Sequence, residues 1–205
     1  FLLDTDATIS TDPGATIAVA GPFDGQNYTS KAASQATNVL LLGQIVDHSG
    51  TVAISAQRTW LGPRALIDLS GIFVPSSQFG FDGATRLSGT LLDGGILSIG
   101  PIAATSSDSK NPNRSGTYVV SQPGAVVDVS GAPATTFEVW NGSASLGGTS
   151  TVTGWSNAGT VLIETAAFAW GGTFKADTDP RATGGGTFVL GGAAIAEVSV
   201  GSVTK

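Results

Sequence analysis

Pro123-Gly124-Ala125-Val126-Val127-Asp128-Val129-Ser130-Gly131 is written more than once in this chain. A close copy runs Pro63-Arg64-Ala65-Leu66-Ile67-Asp68-Leu69-Ser70-Gly71, and a looser one Pro13-Gly14-Ala15-Thr16-Ile17-Ala18-Val19-Ala20-Gly21. Each copy opens on a turn residue, alternates for one short strand and closes on a small residue and Gly. Alternation at period two puts Ala125, Val127 and Val129 on one face, with Ala65, Ile67 and Leu69, or Ala15, Ile17 and Val19, in the equivalent places. One short strand cannot bury its apolar face alone, so repeated copies must stack on one another.

A second repeat interleaves with the first. It reads Gly50-Thr51-Val52-Ala53-Ile54, Gly95-Ile96-Leu97-Ser98-Ile99, Gly159-Thr160-Val161-Leu162-Ile163 and Gly186-Thr187-Phe188-Val189-Leu190. Two of its columns are apolar throughout: Val52, Leu97, Val161, Phe188 and Ile54, Ile99, Ile163, Leu190. These predict inward-facing ladders, each residue resting on its equivalent one rung away. The position between them (Ala53, Ser98, Leu162, Val189) is expected to face outward, where Leu162 and Val189 imply a covered surface.

Together the repeats predict an all-β chain with little or no helix, wound as a right-handed parallel β-helix with surface loop insertions. Residues 1–205 read as a single domain. Gly50 to Gly71 is the length of one coil, and Gly159 and Gly186 lie one coil apart. The longer intervals from Gly50 to Gly95 and from Pro63 to Pro123 read as two coils plus insertions. At about 4.8 Å per coil, some eight coils would make a rod of about 40 Å. Insertions are expected at about 72–86, which carries Phe73, Phe79 and Phe81, at 105–115, rich in Ser and Asn around Pro112, and at 175–186. The Ala-rich stretch Lys31–Leu42 is the one place where a helix is expected.

Composition narrows the function. The chain has 205 residues, 29 Gly, no Cys and no Met. Zero Cys excludes disulfides and thiolate chemistry. The missing Met and the start at Phe1 read as a piece of a longer solenoid, or a processed chain. A net charge of −6 argues against nucleic acid and anionic membrane surfaces as partners. No apolar run reaches the roughly 20 residues of a membrane helix, so membrane insertion is not expected.

The sequence resembles the filamentous haemagglutinin-like exoproteins of Gram-negative bacteria. The residues that carry the resemblance are Gly124 to Gly131, the copy ending Asp68-Leu69-Ser70-Gly71, and the Gly-Thr-Val strands. The resemblance runs from about Leu3 to Leu190. It implies a large adhesin exported by two-partner secretion, with an outer-membrane transporter as partner during export and a secreted or cell-surface location. The family's secretion domain carries Asn-Pro-Asn motifs. Asn111-Pro112-Asn113-Arg114 sits in a Ser-rich insertion and lacks the following aliphatic residue, so it reads as a turn and the chain as shaft.

Chemistry-bearing residues are few. Asp68 and Asp128 share a repeat position, as a carboxylate pair for glycosidic or lyase chemistry would. With Ala18 in the third copy and no Lys or Arg recurring beside them, a solvated outward position is the better reading. Asp47-His48-Ser49 resembles a compressed triad, but adjacent turn residues do not bring nucleophile, base and orienting acid into line. Asp177 and Asp179 are the better candidates for calcium, though no calcium-loop spacing accompanies them. Trp60, Trp140, Trp155 and Trp170, with Phe168, are expected to pack, the alternative being a sugar-stacking platform.

The chain is therefore expected to be no enzyme, with no cofactor and no metal. It reads as a rod whose neighbouring coils are its first partners. Its loops would present Phe79, Phe81, Asn111, Asn113, Trp140 and Trp155 to a glycan or protein on a target surface. A self-assembling extracellular filament and a polysaccharide-degrading β-helix are the alternatives.

Overall fold

The structure, a computed structural model, describes residues 1–20, 36–79, 85–100, 117–141, 148–191 and 194–197. Among them there is no helix, and most strands pair in parallel. The chain runs through three parallel sheets in a fixed order. The first pass is β1 (Leu2–Leu3), β2 (Thr8–Ser10) and β3 (Thr16–Ala20). The second is β4 (Ala36–Leu41), β5 (Gln44–Val46) and the first half of β6 (Thr51–Leu61). The second half of β6 then opens the third pass in the first sheet, followed by β7 (Leu66–Asp68).

Here an antiparallel hairpin intervenes, β8 (Phe73–Phe79) with β9 (Thr85–Leu91), before β10 (Ile96–Gly100) enters the third sheet. The fourth pass repeats the plan: β11 (Tyr118–Ser121), β12 (Val126–Asp128), a hairpin of β13 (Thr135–Asn141) and β14 (Gly148–Gly154), then β15 (Thr160–Glu164). The fifth is β16 (Ala167–Trp170), β17 (Thr173–Lys175) and β18 (Thr187–Gly191), and β19 (Ala194–Glu197) returns to the first sheet. The strands pair with their counterparts one pass away, in register as Ile45, Ile67, Val127 and Phe174 are in the second sheet, save that β16 and β19 slip after Phe168.

The register explains the two repeats. Val52, Leu97 and Val161, and beside them Ile54, Ile99 and Ile163, are Cα partners in adjacent strands, and all are buried. Ala65, Ile67 and Leu69 lie opposite Ala125, Val127 and Val129 and are buried too. Burying one such aliphatic side chain contributes about 1.5–3 kcal/mol, and the ladders repeat that gain at every pass. Of the outward column, Leu162 is half-buried and Val189 exposed.

Several expectations are corrected. Pro13–Gly21 is no third copy of the first repeat: Ile17 and Val19 pair with Val52 and Ile54 in the third sheet. Alternation alone cannot tell which of two similar ladders a strand joins. The helix over Lys31–Leu42 is overturned where the structure describes it. Ala36–Leu41 is a strand whose Val39 and Leu41 point inward, held by pairing with β1 and β6. Residues 31–35 lie outside the described residues.

The intervals Gly50–Gly95 and Pro63–Pro123 each span one pass, because β6 pairs with β10 and β7 with β12. The described chain therefore makes five full passes, not eight. The insertion at 72–86 extends to Leu91, and a second hairpin at 135–154 adds to the expected insertions. At 175–186, Lys175 closes β17 and the rest is irregular. Residues 105–115 lie outside the described residues.

Candidate binding surfaces

The two hairpins leave the sheets at the same place, after the second-sheet strand and before the third-sheet strand, in consecutive passes. They pack on each other: the Phe73 and Phe137 ring centroids are 5.3 Å apart. Thr136 and Thr153 join across the second hairpin, hydroxyl to hydroxyl at 3.0 Å. Leu87 and Val139 are exposed on this pair.

Three of the six loop candidates bear on this region by position. Phe79 ends β8, and Trp140 stands in β13 opposite Thr149. Trp155 follows β14 directly and is half-buried beneath Arg181, whose guanidinium carbon is 4.2 Å from the ring centroid. Phe81 falls between β8 and β9, outside the described residues, as do Asn111 and Asn113.

Arg181 also disposes of a calcium reading at Asp179. Its Nε and Nη2 donate to Oδ1 and Oδ2 of Asp179 at 2.8 and 2.9 Å. Among the described residues no three His, Asp or Glu side chains converge as metal ligands. The Arg181 side chain, and then its backbone N–H, hold the Asp179 carboxyl down to about 2. A depressed carboxylate stabilises the fold above its unfolded pKa, and the contribution fades as pH falls from about 4 towards about 2. An NMR titration of Asp179 should therefore give a midpoint near 2, and Arg181→Ala should return it to the ordinary carboxylate range. A wild-type midpoint already in that range would mean that the fork is not held in solution.

The repeated Asp-x-Ser-Gly ending has a structural use. Asp68 Oδ1 accepts from the Ser70 N–H at 3.0 Å and the Ser70 hydroxyl at 2.7 Å, and Asp128 Oδ1 accepts from the Ser130 N–H at 3.0 Å. Each Asp thus closes an Asx turn that bends the chain out of the second sheet. The next pass brings one cation to this row, with Lys175 Nζ 3.8 Å from Asp128 Oδ2.

His48 meets Ser70 and Asp68 from the next pass instead of its own neighbours: His48 Nδ1 is 3.2 Å from Ser70 Oγ and 3.7 Å from Asp68 Oδ1. Hydroxyl and carboxylate both approach the same ring nitrogen, and the serine is hydrogen-bonded to the carboxylate directly. A triad needs the imidazole between them, using both nitrogens. This cluster orders a corner and is not arranged for nucleophilic catalysis.

Trp60, Trp155 and Trp170 do not form one platform; the side chain of Trp140 lies outside what the structure describes. Trp170 lies between Phe168 and Phe174, with ring centroids 5.7 and 4.1 Å away, and Phe174 meets Phe188 at 4.9 Å. Phe168, Phe174 and Phe188 thus stand in line with Val119, Val127 and Val161 of the pass before, and Trp170 with Ser121. The expected inward place of Phe188 is corrected, since on the last described strand of the third sheet it is 45% exposed. Trp60 is different: it stands on the outer face of the first sheet, 40% exposed. Comparison of the chain with family models, with curated proteins and with solved structures gives no match.

Proposed function

We propose that this chain is a stretch of right-handed parallel β-helix from a secreted or cell-surface bacterial exoprotein, a non-enzymatic rod that presents its protruding hairpins for binding. The observation that carries the reading is the succession of in-register strands through three sheets, with both hairpins emerging at one corner. Connections between parallel strands of one sheet are right-handed in the great majority of proteins, which supports the handedness. Five passes at about 4.8 Å stack to about 24 Å. Stacked strands make a stiff support, and loops on a stiff support carry recognition. The filamentous haemagglutinin-like resemblance supplies the adhesive setting, and the Asx turns that Asp68 and Asp128 close weigh against their use as a carboxylate pair in the degradative alternative.

Two measurements test this. A crystal structure with left-handed winding would overturn the fold half. For the adhesive half, latex beads coated with the protein should settle on epithelial monolayers several-fold more than albumin-coated beads. Leu87→Ser with Val139→Ser, both exposed, should reduce that excess several-fold while leaving the melting temperature in place. Wild-type beads that adhere no better than albumin would sink the adhesive reading.

A further inference from the structure

The outer face of the first sheet carries side chains that a solvated strand surface does not need. Inward residues of β6 and β11 are buried, namely Thr59, Leu61 and Val119, so Arg58, Trp60 and Tyr118 between them face outward. Tyr118 is the Cα partner of Arg58, and Val120 that of Trp60. Arg58 and Trp60 are therefore next neighbours on one strand. Tyr118 stands beside the first and diagonal to the second, about 7–8 Å away along the grid. On the other flank, Asn38 and Leu40 are the partners of Arg58 and Trp60.

Both rings are open, Trp60 at 40% and Tyr118 at 45%, and neither makes a ring contact among the described residues. Among those residues the guanidinium of Arg58 has no ion pair or hydrogen bond, and the indole N–H and the phenol hydroxyl have no partner either. A flat face thus holds two aromatic rings and a set of unused hydrogen-bonding tips. Arg58 stands beside both as a cation with no ion pair among the described residues, so this face is locally positive, although the chain's net charge of −6 opposes polyanions at a distance.

We propose that Arg58, Trp60 and Tyr118 form a binding face for a carboxylated polysaccharide, a chain of uronic acid sugars. The C–H face of a pyranose ring packs on an aromatic ring, while its hydroxyls need the donors and acceptors at the rim. A sheet places its side chains on a regular grid, which suits a linear repeating ligand. The charge selects among saccharides: a guanidinium binds a carboxylate through two parallel N–H···O bonds, and a free one repels cationic partners. A large apolar partner surface fits less well, because a charged group at the centre of the patch would have to be desolvated without a counterpart. This inference rests on the adhesive reading of the chain, and moves one contact from the hairpins to a sheet.

The test is affinity electrophoresis and calorimetry of the whole chain with polygalacturonate, using neutral dextran and dextran sulfate as comparisons. Wild-type protein is expected to bind polygalacturonate, and Trp60→Ala and Tyr118→Ala each to weaken it by at least about tenfold. Arg58→Gln should cost a similar factor while the aromatic surface stays in place. All three side chains face outward, so circular dichroism melts should match wild type and separate lost binding from lost fold. No binding to polygalacturonate overturns the proposal, as does equal binding to dextran sulfate that Trp60→Ala leaves unchanged, which is charge attraction only. Self-association of the wild type abolished by Trp60→Ala also overturns it, because the face would then meet a second copy. If beads still adhere to cells while polygalacturonate is ignored, this inference fails and the adhesive reading stands. If polygalacturonate binds while beads do not adhere, the adhesive reading fails and the saccharide face stands.

Discussion

Alanine at position 95 or 159 is expected to cost about 4 kcal/mol or more, among the largest losses one methyl group can cause in this protein. Gly50, Gly95 and Gly159 form a column where the chain enters the third sheet. A Cβ at Gly95 would sit against the carbonyl oxygen of Gly50, and one at Gly159 against that of Gly95, both far inside contact distance. What stands in the way is backbone, and that backbone is tied down: Ile96 N–H donates to the Gly50 carbonyl at 2.8 Å and Thr160 N–H to that of Gly95 at 3.0 Å. Neither side can give without breaking the ladder that holds the passes together. Urea unfolding checks this, with Gly185→Ala as control, since nothing lies within 4 Å of a Cβ there. A Gly95→Ala protein within about 0.5 kcal/mol of wild type would mean that the passes are not this closely spaced.

The second large effect runs the other way. Asp47→Leu is expected to stabilise the protein by about 2 kcal/mol, raising its melting temperature by about 4–8 °C. Asp47 follows Val46 at the end of β5 and takes the inward place that Leu69 and Val129 hold in the next two passes. It is 0% exposed, and neither carboxylate oxygen has a hydrogen-bond partner among the described residues. Its carboxyl group packs against Gly50, which leaves it the room it occupies. Leucine has the same branching as aspartate, so it fits the place while removing an uncompensated polar group from an aliphatic ladder. Scanning calorimetry reads the shift. A lower melting temperature would show that the carboxylate has a partner in solution that leucine cannot replace.

Ladders are what a sequence of this kind displays best. Val52, Leu97 and Val161 occupy one column because each lies on the next, and stacking like on like leaves a repeat that can be read directly. The same economy misleads when two ladders use similar words. Pro13–Gly21 matches Pro63–Gly71 in pattern yet joins Thr51–Ser55, because a strand with alternating small residues suits either sheet. The hairpins are half legible. Phe73 marks the first, but Thr135–Gly154 alternates just as the sheet strands do, and antiparallel pairing leaves no trace in alternation.

The surface side chains are harder still. Asp68 and Asp128 stand out as equivalent, but their Asx turns depend on backbone geometry. Nothing in the sequence brings His48 to Ser70, or Tyr118 to Arg58, because both meetings depend on which strand follows which and in what register. Lys175 beside Asp128 is a meeting of the same kind.

The strand β6 has a consequence in time. Its first half pairs with β3 and β10, its second with β4 and β11. Two of these partners precede it in the chain and two follow. As the polypeptide emerges from a ribosome or a membrane pore, β6 can close onto strands already present and then wait as a ready edge for those still to come. No parallel strand needs a partner further than one pass away, so assembly can keep pace with emergence from one end to the other. A chain delivered as a thread need never hold more than one unfinished edge in each sheet.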